Sequence, residues 1–335
     1  MGAGRRVGRV DPSPAVDAHA PSADEHRRGV LAGVAAYGIW GLFPLYFHHL
    51  DPASPLEVLC HRILWSLLVV AAILGRERDL AWWRTLRTSR PMLLRSAAAA
   101  ALIGTNWLVY IWAVDNGNVL EAALGYFVNP LVTVMLGVVL LGERLRRIQW
   151  CAVALGGAAV VVLTAAYGRV PWVALTLALT FAGYGFLKKQ IPLTAPQSLA
   201  AETALLTPLA LVLLTVLEVN GNAVFGQQGV GHTALLAAAG PVTAIPLILF
   251  ASSARRIPLT LLGLLQYLTP TGQFLLAVFV FHEQLSAARW VGFVLVWIAL
   301  MVLSVDLVRR APRFAGPTTR FPTIRGRQSA LSAQK

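Results

Sequence analysis

Three ionisable residues fall within six positions of one another in an otherwise apolar stretch: Glu57, His61 and Arg62. Glu57 and His61 are four apart and stack on one helical face, whereas Arg62 is turned by about 100° from His61. An acid and an imidazole one turn apart suit a proton-linked gate, since a small change of surroundings alters their charge. The same residues also suit an interfacial cluster that reaches headgroups or a neighbouring helix. Asn106 and Tyr110 are again four apart, with Trp107 and Trp112 alongside. The Asn106 amide offers both donors and acceptors to an uncharged or zwitterionic solute, or equally to another helix. Asn129-Pro130 and Thr269-Pro270 place a proline within apolar runs, where the missing amide frees a carbonyl and breaks or kinks a helix; Pro44 repeats the theme. Gln266 and Gln273 flank Pro270 seven residues apart and share a face. Tyr37, Trp40 and Tyr126 offer aromatic walls to an apolar solute, or serve as packing.

The elements that carry these residues follow from composition. The chain has 335 residues, 57% hydrophobic and 13% charged, with mean hydropathy +0.65; soluble domains carry about 25% charged residues. The net charge of +13 does not describe a nucleic-acid surface, because the stretch from Arg309 to Lys335 alone holds seven basic and no acidic residues. Residues 1–28 are polar, rich in Pro and Ala, and lack the apolar core of a signal peptide. They and the C-terminal stretch are expected to be disordered cytoplasmic tails. Cys60 and Cys151 lie in or beside apolar runs and are expected to be buried packing residues, without a disulfide or zinc role.

A bilayer core about 30 Å thick needs roughly 20 apolar residues in a helix. Ten stretches qualify, near 29–48, 56–75, 93–113, 119–141, 148–167, 171–190, 197–218, 233–252, 258–281 and 288–308. They are continuously apolar, which excludes a membrane β-barrel with its period-two alternation. With the N-terminus inside, 25 of the 28 Lys and Arg fall on one side, and only Arg62, Arg169 and Arg289 on the other. Basic residues gather in cytoplasmic loops, so both termini are expected in the cytoplasm and the span number to be even. The expected fold is an all-α integral membrane protein of ten transmembrane helices in two inverted five-helix repeats.

The repeat rests on residues 124–163 and 264–303, which align without a gap at a shift of 140. Pro130/Pro270, Glu143/Glu283 and Trp150/Trp290 are in register, along with many leucines. Five helices per half invert the second copy, placing Glu143 at the cytoplasmic face and Glu283 outside, each expected to cap the helix that follows it. Inverted repeats commonly build carriers with a site at the midplane. The expected units are residues 29–167 and 168–308, between tails 1–28 and 309–335. Gly29 and Gly33 form a GxxxG pair suited to close helix contact. Lys188 and Lys189 are expected to set topology.

The segment LGYFVNPLVTVMLGVVLLGERLRRIQW (124–150) resembles the signature region of the EamA-type permeases of the drug/metabolite transporter superfamily. With AYGIWGLFPLY (36–46), EVLCHRILWS (57–66) and NWLVYIWAVDNG (106–117), it is similar to the RarD branch of that family. The resemblance covers roughly residues 29–308 and implies ten helices in two units, a bacterial inner-membrane location, solute transport, and helices 5 and 10 as peripheral scaffold. The chain departs from the pattern in its second repeat, with Thr269 for Asn129 and His282 for Gly142.

The expected function is secondary transport of small organic solutes, metabolites or drugs, by alternating access, with proton coupling open. A membrane scaffold or sensor, or a lipid-modifying enzyme, are the competing classes. No GxxxxGK[ST], HExxH or GxSxG motif occurs, so neither an ATP-driven pump nor an enzyme is expected, and no cofactor or metal. The expected partners are a small-molecule substrate and membrane lipids, not nucleic acid; a homodimer stays open.

Overall fold

Each of the ten apolar stretches becomes helix, and prolines mark where two of them are interrupted. The computed structural model describes residues 23–77, 81–142, 144–254 and 256–310, which form thirteen helices and, among the described residues, no strand. The first stretch holds α1 (Ala23–Gly41) and α2 (Phe43–His48); the second is α3 (Pro55–Glu77). A short helix, α4 (Ala81–Thr88), precedes α5 (Arg90–Asp115), α6 (Val119–Leu141) and α7 (Arg147–Tyr167). The second half runs through α8 (Trp172–Lys188), α9 (Ala195–Val219), α10 (Gly229–Ala254), α11 (Leu259–Leu265), α12 (Leu268–Phe279) and α13 (Ala287–Arg310). Nine segments among the described residues are long and apolar enough to cross a membrane. The remaining stretch, α8, is apolar but has 17 residues, about 25 Å of helix.

The helix at the N-terminus starts at Ala23, so part of the tail expected at 1–28 is helical; residues 1–22 and 311–335 lie outside the described residues, as does Glu143. Cys60 is buried as expected, but Cys151 is exposed, because its place on α7 turns it outward. The outer surface is apolar: Val139, Val161 and Phe279 are each more than two-thirds exposed. Such a surface suits lipid.

The two halves pack on each other helix by helix. Across the halves α3 packs on α9, α6 on α12 and α7 on α13; α8 lies against α5 and α6, α1 against α10 and α12, α3 against α10, and α5 against α9. Glycines allow the closest crossings. A Cβ at Gly240 on α10 would lie 2.5 Å from the backbone of Trp65, and one at Gly125 on α6 would lie 2.8 Å from Ala174 O on α8. The Gly29/Gly33 pair faces the end of α10, where a Cβ would meet Arg256 or Ser253 at 2.6 Å.

The proline positions divide. Pro44 sits in the first turn of α2, at the break after α1. A residue other than proline there would donate its amide to Trp40 O, four positions back; the Gln273 side chain donates to that carbonyl instead, at 3.3 Å. Pro270 follows the interruption between α11 and α12, and Gln266 O accepts from Thr269 N. Pro130, expected to break its helix, lies inside an unbroken α6. One lost amide is tolerated where packing holds the turn, and α6 is held by its close contact with α8.

The two substitutions in the second repeat preserve geometry. Asn129 Nδ2 donates to Ala178 O at 3.1 Å and Thr269 Oγ1 to Tyr37 O at 2.9 Å, so each residue before the repeat proline ties its helix to a main-chain carbonyl. Gly142 and His282 both adopt positive φ, 66° and 53°. Histidine enters the left-handed region at a cost that glycine avoids.

Candidate functional site

The helical turn of about 100° between residues 61 and 62 separates the Glu57, His61, Arg62 cluster into two sites. Glu57 and His61 face the turn that follows α9, while Arg62 points into the bundle; all three are at least 94% buried, so none reaches out to headgroups.

Arg62 is enclosed by rings from α2 and α5. Its guanidinium carbon lies 4.1 Å from the centroid of Trp107 and 5.4 and 5.5 Å from those of Phe43 and Phe47. Its Nε donates to Thr243 Oγ1 on α10 at 2.9 Å. Among the described residues no carboxylate lies within 4.0 Å of it. The hydroxyls of Tyr46, Tyr110 and Tyr126 stand within its electrostatic range. Tyr46 donates to Leu235 O and Tyr126 to Asn106 Oδ1, whereas the Tyr110 hydroxyl, on a side chain 2% exposed, has no partner among the described residues. A charge in a membrane interior costs about 2.5–3.5 kcal/mol on insertion scales. Here ring faces, one hydroxyl and nearby tyrosines offset that cost, and no counter-ion does.

Beside this cluster, Asn106 joins three helices. Its Nδ2 donates to Leu177 O and Thr180 Oγ1, both at 3.0 Å, and its Oδ1 accepts from Tyr126 at 3.0 Å. With Asn129 on Ala178, one asparagine of α5 and one of α6 are engaged with α8. Both Asn106 amide donors are thus occupied by interhelical bonds. Tyr110 and Tyr126 touch edge to face, with centroids 5.7 Å apart, and link this band to the cluster around Arg62.

Tyr37 and Trp40 form a separate aromatic group with Phe250 on α10. Gln273 is buried against Trp40, with its Oε1 unpartnered among the described residues; Gln266 is half-buried at the end of α11. The expected shared face of Gln266 and Gln273 is interrupted, because the break between α11 and α12 falls between them.

Glu57 Oε1 accepts from Val224 N and Phe225 N at 2.9 and 3.0 Å, tying the start of α3 to the turn after α9. Trp65 Nε1 donates to His61 Nδ1 at 3.2 Å, so the neutral ring carries its proton on Nε2, the nitrogen 4.0 Å from Glu57 Oε1. His61 stacks on Phe225 with centroids 4.4 Å apart. Both residues line a cleft of about 310 Å³ with Leu214, Glu218 and Val219 of α9.

Two buried carboxylates, Glu121 and Glu202, and the half-buried Glu283 have partners that the motifs did not indicate. Glu121 accepts from Arg169 at 2.8 Å and from Val173 N, at the start of α8. Glu202 accepts from Lys188 at 2.9 Å, from Ser198 and from Tyr184, so Lys188 forms an ion pair inside the bundle. Glu283 does not cap the helix that follows it. Its oxygens accept from Val119 N at 2.6 Å and Leu120 N at 3.1 Å, at the start of α6 in the other half. Burial raises its carboxyl to about 7, opposed by those two backbone bonds and by Arg289. An acidic residue inside an apolar span is itself the signal that marks Glu121 and Glu202; a lone threonine such as Thr243 carries none.

Residues 27–165 match the EamA-like transporter family. Protein RarD of Streptomyces exfoliatus is 50% identical over 290 residues, covering 87% of this chain and 92% of its own. An uncharacterized transporter of Pseudomonas aeruginosa is 44% identical, covering 87% and 98%. A solved crystal structure, 21% identical with a TM-score of 0.56, covers 84% of this chain and 99% of its own and shares the fold. Buried polar groups at the seams of a lipid-facing helical bundle therefore occur in a chain that relatives across nearly its whole helical region name as a transporter. The chain belongs to the EamA-like transporter family, in its RarD branch, and is a multi-pass membrane transporter.

Proposed function

We propose that the protein is a secondary transporter of small organic solutes, built of ten spans in two inverted repeats and working by alternating access in the bacterial inner membrane with both termini cytoplasmic. The observation that carries this reading is that the cluster around Arg62 draws on both halves: α2, α3 and α5 from the first, and α10, through Thr243, from the second. Any movement of one half against the other reshapes it.

The helix pairing supports the repeat. If α1/α2, α3, α5, α6 and α7 correspond to α8, α9, α10, α11/α12 and α13, then the α6–α8 packing maps onto α12–α1, α5–α8 onto α10–α1, and α3–α10 onto α9–α5. The pairs α3–α9, α6–α12 and α7–α13 map onto themselves, as expected along a pseudo-two-fold axis. In this reading α8 is the tenth span, and its 17 residues are accommodated by local thinning of the bilayer.

Proton coupling is placed at Glu57 and His61. Glu57 Oε2 and His61 Nε2, each without a hydrogen-bond partner among the described residues, offer an acceptor and a proton position in one cleft. The test is counterflow in proteoliposomes with a panel of amino acids, related metabolites and chloramphenicol, with and without a proton gradient. Saturable exchange of at least one solute is expected; its absence across the panel counts against transport. Gradient dependence that survives Glu57→Gln and His61→Asn together removes the coupling role.

A further inference from the structure

We infer that the transported solute carries an anionic group, a carboxylate on an aromatic or otherwise apolar body, and that Arg62 is the residue that receives it. This rests on the transport reading above and adds to it the chemical class of the solute.

Rings cover the flat face of the guanidinium: Trp107 lies at 4.1 Å, with Phe43 and Phe47 beyond. Stacking uses only that face; the N–H donors lie in the plane, in a fork that matches the two oxygens of a carboxylate. One edge position is occupied, Nε on Thr243, and among the described residues the two terminal nitrogens have no hydrogen-bond partner. A second free donor stands close by, the buried Tyr110 hydroxyl, whose proton has no acceptor among the described residues. A fork of N–H groups, a spare hydroxyl and, among the described residues, no carboxylate within 4.0 Å leave this cluster one positive charge in excess. The other buried carboxylates among the described residues are paired or bonded to backbone. Phe43, Phe47, Trp107 and Tyr110 supply the apolar and aromatic contacts for the rest of such a solute.

The test measures binding of radiolabelled 3-phenylpropionate to the purified full-length protein in nanodiscs, with its neutral amide as competitor. Saturable binding is expected, with the amide at least tenfold weaker. Arg62→Gln is expected to abolish the preference for acid over amide, and Arg62→Lys, which keeps the charge but loses the fork, to retain only part of it. Elution as a single species and an unchanged melting transition identify folded variants. Equal competition by the amide, a preference that persists in Arg62→Gln, or no saturable binding of the acid would each overturn the inference. Counterflow separates its failure from that of the transport reading: exchange of neutral solutes without acid binding removes the anion site alone. Arg62-dependent acid binding with no exchange of any solute keeps the site and removes transport.

Discussion

Lys188 and Arg62 are both cations beside buried polar groups, yet they are held in opposite ways. Lys188 meets Glu202, which is itself held by Ser198 and Tyr184, so charge and hydrogen bonds close within the protein. Arg62 meets ring faces and a single threonine and is left with donors to spare. A closed group of the first kind ties helices together, and removing one member leaves a buried charge alone. An open group of the second kind adds little to folding and has its complement elsewhere, in what the protein binds.

The sharpest way to break this contrast is Lys188→Met, which leaves the 3%-exposed Glu202 carboxylate without its cation. A loss of about 3 kcal/mol is expected, read by unfolding in mild detergent, and Lys188→Met with Glu202→Gln should recover most of it. Glu57→Gln comes next: a charged acceptor for two backbone amides becomes a neutral one, for an expected loss of about 1–3 kcal/mol and faster proteolysis in the turn at residues 220–228. Arg62→Gln should change stability by less than about 1 kcal/mol, since lost cation–π attraction is offset by relief of burying a charge. Solute exchange, in contrast, should fall at least tenfold. If Arg62→Gln unfolds the protein while Lys188→Met does not, the contrast is reversed.

The smallest effect concerns pH. Burial raises the Glu283 carboxyl to about 7, above its ordinary 4.5. A raised carboxyl means that the folded protein binds the proton more tightly than the unfolded chain, so this group favours folding below the ordinary value. Its contribution is lost as pH rises through the window from 4.5 to 7. Melting temperature should therefore fall across that window in the wild type more steeply than in Glu283→Gln. Equal slopes would show that Glu283 titrates as an exposed carboxylate.

The helical stretches were legible because hydropathy over some twenty residues survives any detail of packing. Helix α4 was not: AWWRTLRT lies in a basic connection and is too short to register as a span. The bonding partner of Glu283 was not legible, because Val119 and Leu120 are more than 160 residues away and no local rule points across the halves. The separation of Arg62 from His61 was contained in the helical period. What faced Arg62 was not, since Thr243 lies in an apolar run that offers no motif. An interhelical bond was one of two expectations for Asn106, and only the fold shows three helices meeting on its amide.

The reach of Glu283 into the opposite half has a kinetic meaning. Two backbone amides at the head of α6 hang on one carboxylate, so the alternating access proposed above would first require their release at that end. Bonds of this kind contribute about 1.5–3 kcal/mol each, enough to lengthen the lifetime of the closed end by one or more orders of magnitude. A carboxyl that takes up its proton near pH 7 turns that lifetime into a quantity set by the acidity outside the protein.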